Sequence, residues 1–211
     1  MRIGILGTGA VGRALGTGFA SLGHEVRFGT RDPASDKAQS LVAAVGPRAS
    51  IGTFAQAAEF AELAVLATQW SGTENVIRLA GPERLAGKTV IDTTNPLKGR
   101  PPVLAVGFTD SAGEQVQRWL PGAHVVKAFN IVGNASMVHP EFAGGPPDMF
   151  ICGNDPAAKA AVTAICDAFG WPTIDLGGIE AARYLEPFAM VWIVYGFRTN
   201  TWTHAFKLLR R

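Results

Sequence analysis

Six residues near the N-terminus constrain this chain more than any other feature: Gly7-Thr8-Gly9-Ala10-Val11-Gly12. They follow the apolar run Ile3, Ile5, Leu6 and lead into apolar residues at helical spacing, Val11, Leu15, Phe19 and Leu22, with Gly23 as the stop. Three glycines so spaced arise often by chance, and an ordinary glycine-rich turn is the plain alternative. Here they join a strand to a helix within a βαβ unit of about thirty residues, which is the context a dinucleotide fingerprint requires. Gly7 permits the tight turn, Gly9 lets backbone approach a pyrophosphate, and Gly12 allows close helix–strand packing. The helix start would then offer free N–H groups and a partial positive charge to phosphates.

The same alternation runs down the chain. Strands are expected at Arg2–Leu6, Val26–Thr30, 49–51, Leu63–Ala67, Thr89–Asp92, Val125–Ala128, Asp148–Cys152 and Thr173–Leu176. Helices are expected at 34–45, around Phe54–Ala58, around Val76–Leu79, and over 112–120 and 157–169, with a mostly helical stretch from Ile179 to Leu208 broken near Gly196. Leu63–Ala67 lacks polar alternation, as a strand covered on both faces should. The fold predicted is α/β: a doubly wound parallel Rossmann sheet with helices on both faces and a small C-terminal α/β extension. One domain would span 1–211, with a dinucleotide-binding core to about residue 145 and the extension from about 146.

Composition excludes several classes. Of 211 residues, 47% are hydrophobic and 17% charged, too apolar for a disordered chain. Net charge is +2, and the only basic cluster is Lys207, Arg210 and Arg211, too little for a nucleic-acid footprint. The N-terminus shows no signal-peptide anatomy, and the most apolar stretch, Pro187–Phe197, is too short for a membrane span, so a cytoplasmic protein is expected. Cys152 and Cys166 lack metal or disulfide spacing and read as a buried strand residue and a buried helix residue. His24, His124, His139 and His204 are isolated and read as filler.

Cofactor choice should come from the end of the second strand. An NAD site places an acid there; this chain has Gly29-Thr30-Arg31. A hydroxyl and a guanidinium suit a 2′-phosphate and favour NADP by about ten- to a hundred-fold. Asp32 counts against this if it neutralises Arg31, and Ser35 and Lys37 are further candidates for the phosphate. Loops after later strands fall where open α/β sheets bind ligands. These are Thr68-Gln69-Trp70, Thr93-Thr94-Asn95-Pro96, and Ala128 to Asn134, in which Asn130 would reach the nicotinamide and Ile131 and Val132 would wall the ring. Tyr184, Phe188, Trp192 and Tyr195 stand at helical spacing and read as core or a subunit interface, hence an expected homodimer.

Taken with Leu22-Gly23-His24-Glu25-Val26, the glycine turn and Gly29-Thr30-Arg31 resemble the NADPH:coenzyme F-420 oxidoreductases, which move hydride between NADP and a deazaflavin. Val126-Lys127-Ala128-Phe129-Asn130 and Phe150 to Asp155 are similar to the reductase domain of six-transmembrane metalloreductases. The resemblance implies that Thr8, Gly9, Ala10 and Val11 meet the cofactor phosphates, and that Thr30 and Arg31 meet the 2′-phosphate. Ser35 then stands at the spacing of a family lysine, and Trp70, Asn130 and Asn134 flank the cofactor. Gln69 replaces a proline of the deazaflavin enzymes and Asn130 a histidine, while Thr94-Asn95-Pro96-Leu97 resembles the broader group. With the chain ending at Arg211, no membrane haem domain is expected to follow.

The expected function is therefore hydride transfer between NADP(H) and a small-molecule acceptor, either coenzyme F-420 or a flavin. Neither a catalytic side chain nor a metal is invoked, since such transfer needs only two well-oriented rings. A flavin or ferric-chelate reductase and a non-catalytic NADP sensor remain as alternatives. A hydroxy-acid or imine dehydrogenase would need a further helical domain, for which too few residues remain after the sixth-strand loop.

Overall fold

The computed structural model describes residues 1–211. Its frame is a single eight-stranded sheet built from β1 (Arg2–Leu6), β2 (Glu25–Thr30), β3 (Ala49–Thr53), β4 (Leu63–Leu66), β5 (Thr89–Asp92), β8 (His124–Lys127), β9 (Met149–Gly153) and β10 (Thr173–Asp175). The spatial order is β10-β9-β8-β5-β4-β1-β2-β3. From β3 across to β8 every neighbour is parallel. Helices supply the crossovers: α1 (Ala10–Ser21), α2 (Asp36–Val45), α3 (Phe54–Phe60), α4 (Trp70–Ala80) and α5 (Ala112–Trp119).

Both faces of this sheet are covered almost equally. One core cluster of 24 buried residues joins Leu15 and Phe19 of α1, Leu41 of α2, and Val162 and Ile165 of α6 (Pro156–Ala168) to one face. The other, of 23 residues, brings Phe54, Ala57, Val76, Ile77 and Val116, with Leu185 and Ala189 of α7 (Ala182–Thr199), to the opposite face. All four residues of β4 are buried, which explains their unbroken apolarity.

The structure departs from the expected pattern in three places. β9 runs antiparallel to β8, and β10 runs parallel to β9, so the extension reverses direction. The physical cause lies in the connection from 128 to 148, which holds only a short 3-10 turn at Asn134–Ser136. Without a crossover helix the chain re-enters at the edge it left, and antiparallel pairing follows. A small hairpin of β6 (Leu97–Lys98) and β7 (Val103–Leu104) occupies the Pro/Gly-rich connection, where two-residue strands carry no periodicity to read. Lastly, α7 ends at Thr199 rather than running to Leu208: Asn200 takes a left-handed conformation (φ 52°) and caps it. The remaining tail folds back on α7, stacking Phe206 on Phe188 at 4.0 Å between ring centres and His204 on Trp192 at 4.8 Å. None of the helices is long and apolar enough to cross a membrane.

Candidate functional site

The strand order reverses between β1 and β4, and ligands of open α/β sheets bind outside the carboxyl ends at such a point. At that edge the glycine turn closes β1 and opens α1. Gly7 has φ 132°, and a side chain there would run into the Ala67 carbonyl. A side chain on Gly12 would strike the Gly7 carbonyl. Gly9 is different: its φ of −74° suits any residue, and a side chain there would meet nothing within 4 Å. Glycines 7 and 12 are therefore required by the fold itself, whereas Gly9 leaves an empty cradle at the start of α1. No side chain caps that helix and no acid stands in its first turn, so its leading N–H groups face the cradle unopposed.

Arg31 follows β2 with no ion pair, and Asp32 does not neutralise it, because the Asp32 carboxylate accepts from the Ala34 N–H at 3.1 Å instead. Thr30 is half-buried at the strand end and Lys37 is exposed. The Ser35 hydroxyl donates to the Asp32 carbonyl at 2.9 Å, so its proton already serves the turn before α2. Thr68, after β4, shares a hydroxyl hydrogen bond with Thr73 at 2.8 Å. Gln69 is exposed at the N-cap of α4, and Trp70 stacks one face on Trp119 of α5 at 5.4 Å.

The loops after β5 and β8 are tied together. Asn95 donates to the Asn130 carbonyl at 2.7 Å; Asn130 returns a bond to the Asn95 side-chain oxygen at 3.0 Å and donates to the Leu185 carbonyl at 3.2 Å. Asn130 is only 5% exposed while Asn95 is half-buried, so Asn95 presents itself and Asn130 braces it from behind. Between β8 and Asn130, Phe129 holds a left-handed backbone (φ 61°), a strained conformation for a non-glycine that re-aims the chain. Ile131 and Val132 do not wall an open pocket. They are 2% and 7% exposed and belong to the two opposite cores, because the strained turn sends one to each face of the sheet. Asn134 points outward at the start of the 3-10 turn and is not brought to the asparagine pair. Two broad, open surface depressions, over α6 and beside His124, lie away from this edge.

Sequence reasoning passed over three residues beneath these loops. Asp92 ends β5, Lys127 ends β8 and Glu186 lies on α7, and all three are fully buried. The Lys127 ammonium lies 2.7 Å from Asp92 Oδ2 and 3.1 Å from Glu186 Oε1, and donates to the Thr94 carbonyl at 2.8 Å. Asp92 Oδ1 accepts from the Thr94 backbone N–H and hydroxyl, and Glu186 accepts from the N–H groups of Ala112 and Gly113 that open α5. Burial works against the ammonium, but Asp92 and Glu186 outweigh it and hold the Lys127 pKa above its ordinary value. Burial pushes the Glu186 carboxyl up, against the pull of Lys127 and the two N–H groups. The signal available in sequence was a charge at the end of each of two apolar strands. Burial also pushes both thiols, Cys152 and Cys166, up to about 12, which leaves them unreactive.

Comparison with known proteins agrees with this geometry. The family described as NADP oxidoreductase, coenzyme F420-dependent, matches residues 2–96. A solved chain from Arthrobacter sp. FB24, described as a candidate F420-dependent NADP reductase, is 41% identical and superposes with a TM-score of 0.94 over 100% of both chains. Metalloreductase STEAP3 of Rattus norvegicus is 28% identical over 190 residues, covering 88% of this chain and 36% of that protein; this chain thus spans about a third of that curated relative. An imine reductase of Streptomyces aurantiacus, at 18% identity and a TM-score of 0.70, covers 94% of this chain and 64% of its own, and shares the fold. From 41% identity over the full length of the Arthrobacter chain, and from the match over the glycine turn and the strands that follow, this chain belongs to the coenzyme F420-dependent NADP oxidoreductase family.

Proposed function

We propose that the protein is an NADPH-dependent reductase that passes hydride to a deazaflavin of the coenzyme F420 type or to a flavin. The observation that carries the reading is Gly9, a glycine the fold does not need, facing an empty cradle at a bare helix N-terminus. The backbone N–H groups around Thr8, Gly9, Ala10 and Val11 would hold the pyrophosphate, and Thr30 with Arg31 the 2′-phosphate. Ser35 would have to turn its hydroxyl away from Asp32 to assist, whereas the exposed Lys37 holds no such bond. The nicotinamide, when bound, supplies the hydride. Thr68, Gln69 and Trp70 would line its approach, with Asn95, braced by Asn130, fixing its orientation. Polar groups presented at this edge are amides and hydroxyls, groups suited to orienting rings rather than moving protons, and orientation is worth several orders of magnitude in such a reaction.

The test mixes the protein with 4-deuterated NADPH and a panel of F420, FMN, FAD and ferric chelate. Loss of nicotinamide absorbance with F420 or a flavin, and deuterium on the deazaflavin when F420 is used, is the expected result. No acceptor-dependent oxidation of NADPH would overturn the reading in favour of a non-catalytic NADP-binding protein, and turnover with ferric chelate alone would favour the metalloreductase class. In parallel, Gly9→Val should fold normally and lose dinucleotide binding; normal NADPH affinity in that variant would reduce the glycine turn to a simple bend.

A further inference from the structure

The buried trio beneath the loops after β5 and β8 carries more charge than a structural tie needs. Each carboxylate oxygen of Asp92 and Glu186 that has a partner faces only donors: the Lys127 ammonium, the Thr94 N–H and hydroxyl, and the N–H groups of Ala112 and Gly113. Such surroundings suit ionised groups: apart from the Thr94 hydroxyl, every partner is a donor that cannot accept a carboxylic proton. Two carboxylates against one ammonium leave one negative charge in excess, and the start of α5 offsets about half a charge of it. Both side chains on the strands are 0% exposed, so water does little to screen the remainder. An apolar cluster of equal volume would hold β5, β8 and α7 together at lower desolvation cost.

We propose that the Asp92–Lys127–Glu186 cluster biases the site electrostatically toward the oxidised nicotinamide. The oxidised ring carries a positive charge that the reduced ring lacks, and an excess negative charge fixed below it stabilises the first over the second. The inference rests on the reading that places the nicotinamide half of NADP over the ends of β5 and β8. It goes beyond that reading by assigning the three buried residues a part in the cofactor's redox balance. Lys127 also holds the Thr94 carbonyl, next to Asn95, so the cluster is coupled directly to the loop that would meet the ring. These are positioning and field-setting residues, not groups that touch the reacting atoms.

The test measures dissociation constants of NADP⁺, NADPH and 2′,5′-ADP for the wild type, Glu186→Gln and Asp92→Asn, with circular dichroism reporting the fold. Removing one buried negative charge should weaken NADP⁺ relative to NADPH by about tenfold, the order expected of one unit charge acting through an effective dielectric near 20. Binding of 2′,5′-ADP, which lacks the nicotinamide, should stay unchanged. Glu186→Gln keeps an acceptor for only one of the two α5 N–H groups, which Ala112 and Gly113 give to different oxygens, so Asp92→Asn tests the same charge from a different element if the first variant unfolds. Equal weakening of NADP⁺ and NADPH in a folded variant would overturn the proposal and leave the cluster a structural tie. A wild type that binds 2′,5′-ADP no more weakly than either dinucleotide would instead overturn the placement of the nicotinamide, and the inference with it.

Discussion

Arg31 stands alone after β2: no carboxylate pairs with it, and the neighbouring Asp32 is turned into its own turn. A guanidinium left free at the place where a ribose hydroxyl would meet an acid in an NAD site is suited to a 2′-phosphate. Arg31→Ala should therefore weaken NADPH by about ten- to a hundred-fold and leave NADH nearly unchanged, as judged by titrating both cofactors. Equal loss for both would remove Arg31 from the phosphate site. This residue and the glycine turn were legible in the sequence because their roles depend on neighbours within a few positions. Ile131 and Val132 were misread and the local partner of the Ser35 hydroxyl was not foreseen, because both are decided by turns that periodicity does not reveal.

Between elements, α5 and α7 are joined at the surface by a two-pronged pairing of Arg183 with Glu114, whose Oε2 lies 2.8 Å from the Arg183 Nε. The Arg183 guanidinium beside it, with the Ser111 hydroxyl, holds the Glu114 carboxyl below its ordinary value of 4.5. A lowered folded-state pKa means the pairing contributes in full above that ordinary value and is lost as pH falls through the folded-state one. Solvent screens such a surface pair, so its contribution is small and falls with added salt. Wild-type urea midpoints should fall between roughly pH 5 and 3 more steeply than those of Glu114→Gln, and parallel curves would show the pair to be neutral. Helices and strands of four or more residues could be read from apolar spacing at this scale. The β6–β7 hairpin was too short to show a period, and the end of α7 was hidden because apolar residues continue past Asn200, at Trp202, Ala205, Phe206, Leu208 and Leu209.

Across the whole molecule, the surface of α7 is unlike that of the other helices. Its inner face buries Leu185, Ala189 and Trp192, and the tail covers Phe188, yet Tyr184, Val191, Val194 and Phe197 remain 49–73% exposed. An apolar outer stripe beside an apolar inner one is the pattern of a helix with a second partner. A second copy of the chain is the partner expected, the stripe being self-complementary about a two-fold axis. Sedimentation at micromolar protein should give a dimer, and Val191→Glu should shift it toward monomer while the fold persists; a wild-type monomer would reject the pairing.

What the sequence by itself determined was local and periodic: the glycine turn, the strand–helix alternation across both faces, and Thr30-Arg31 in place of a carboxylate at the end of the second strand. These rest on residues whose neighbours in space are also neighbours in sequence, or recur at 2.0 or 3.6 residues. Only the tertiary structure decided that β9 reverses, that Asn130 braces Asn95, and that Asp92, Lys127 and Glu186 meet in one dry cluster. The last of these joins residues 35 and 59 positions apart along the chain, and their burial is set by how α7 lies over the sheet edge. A lone charge at a strand end reads as solvated until the element that covers it is in place.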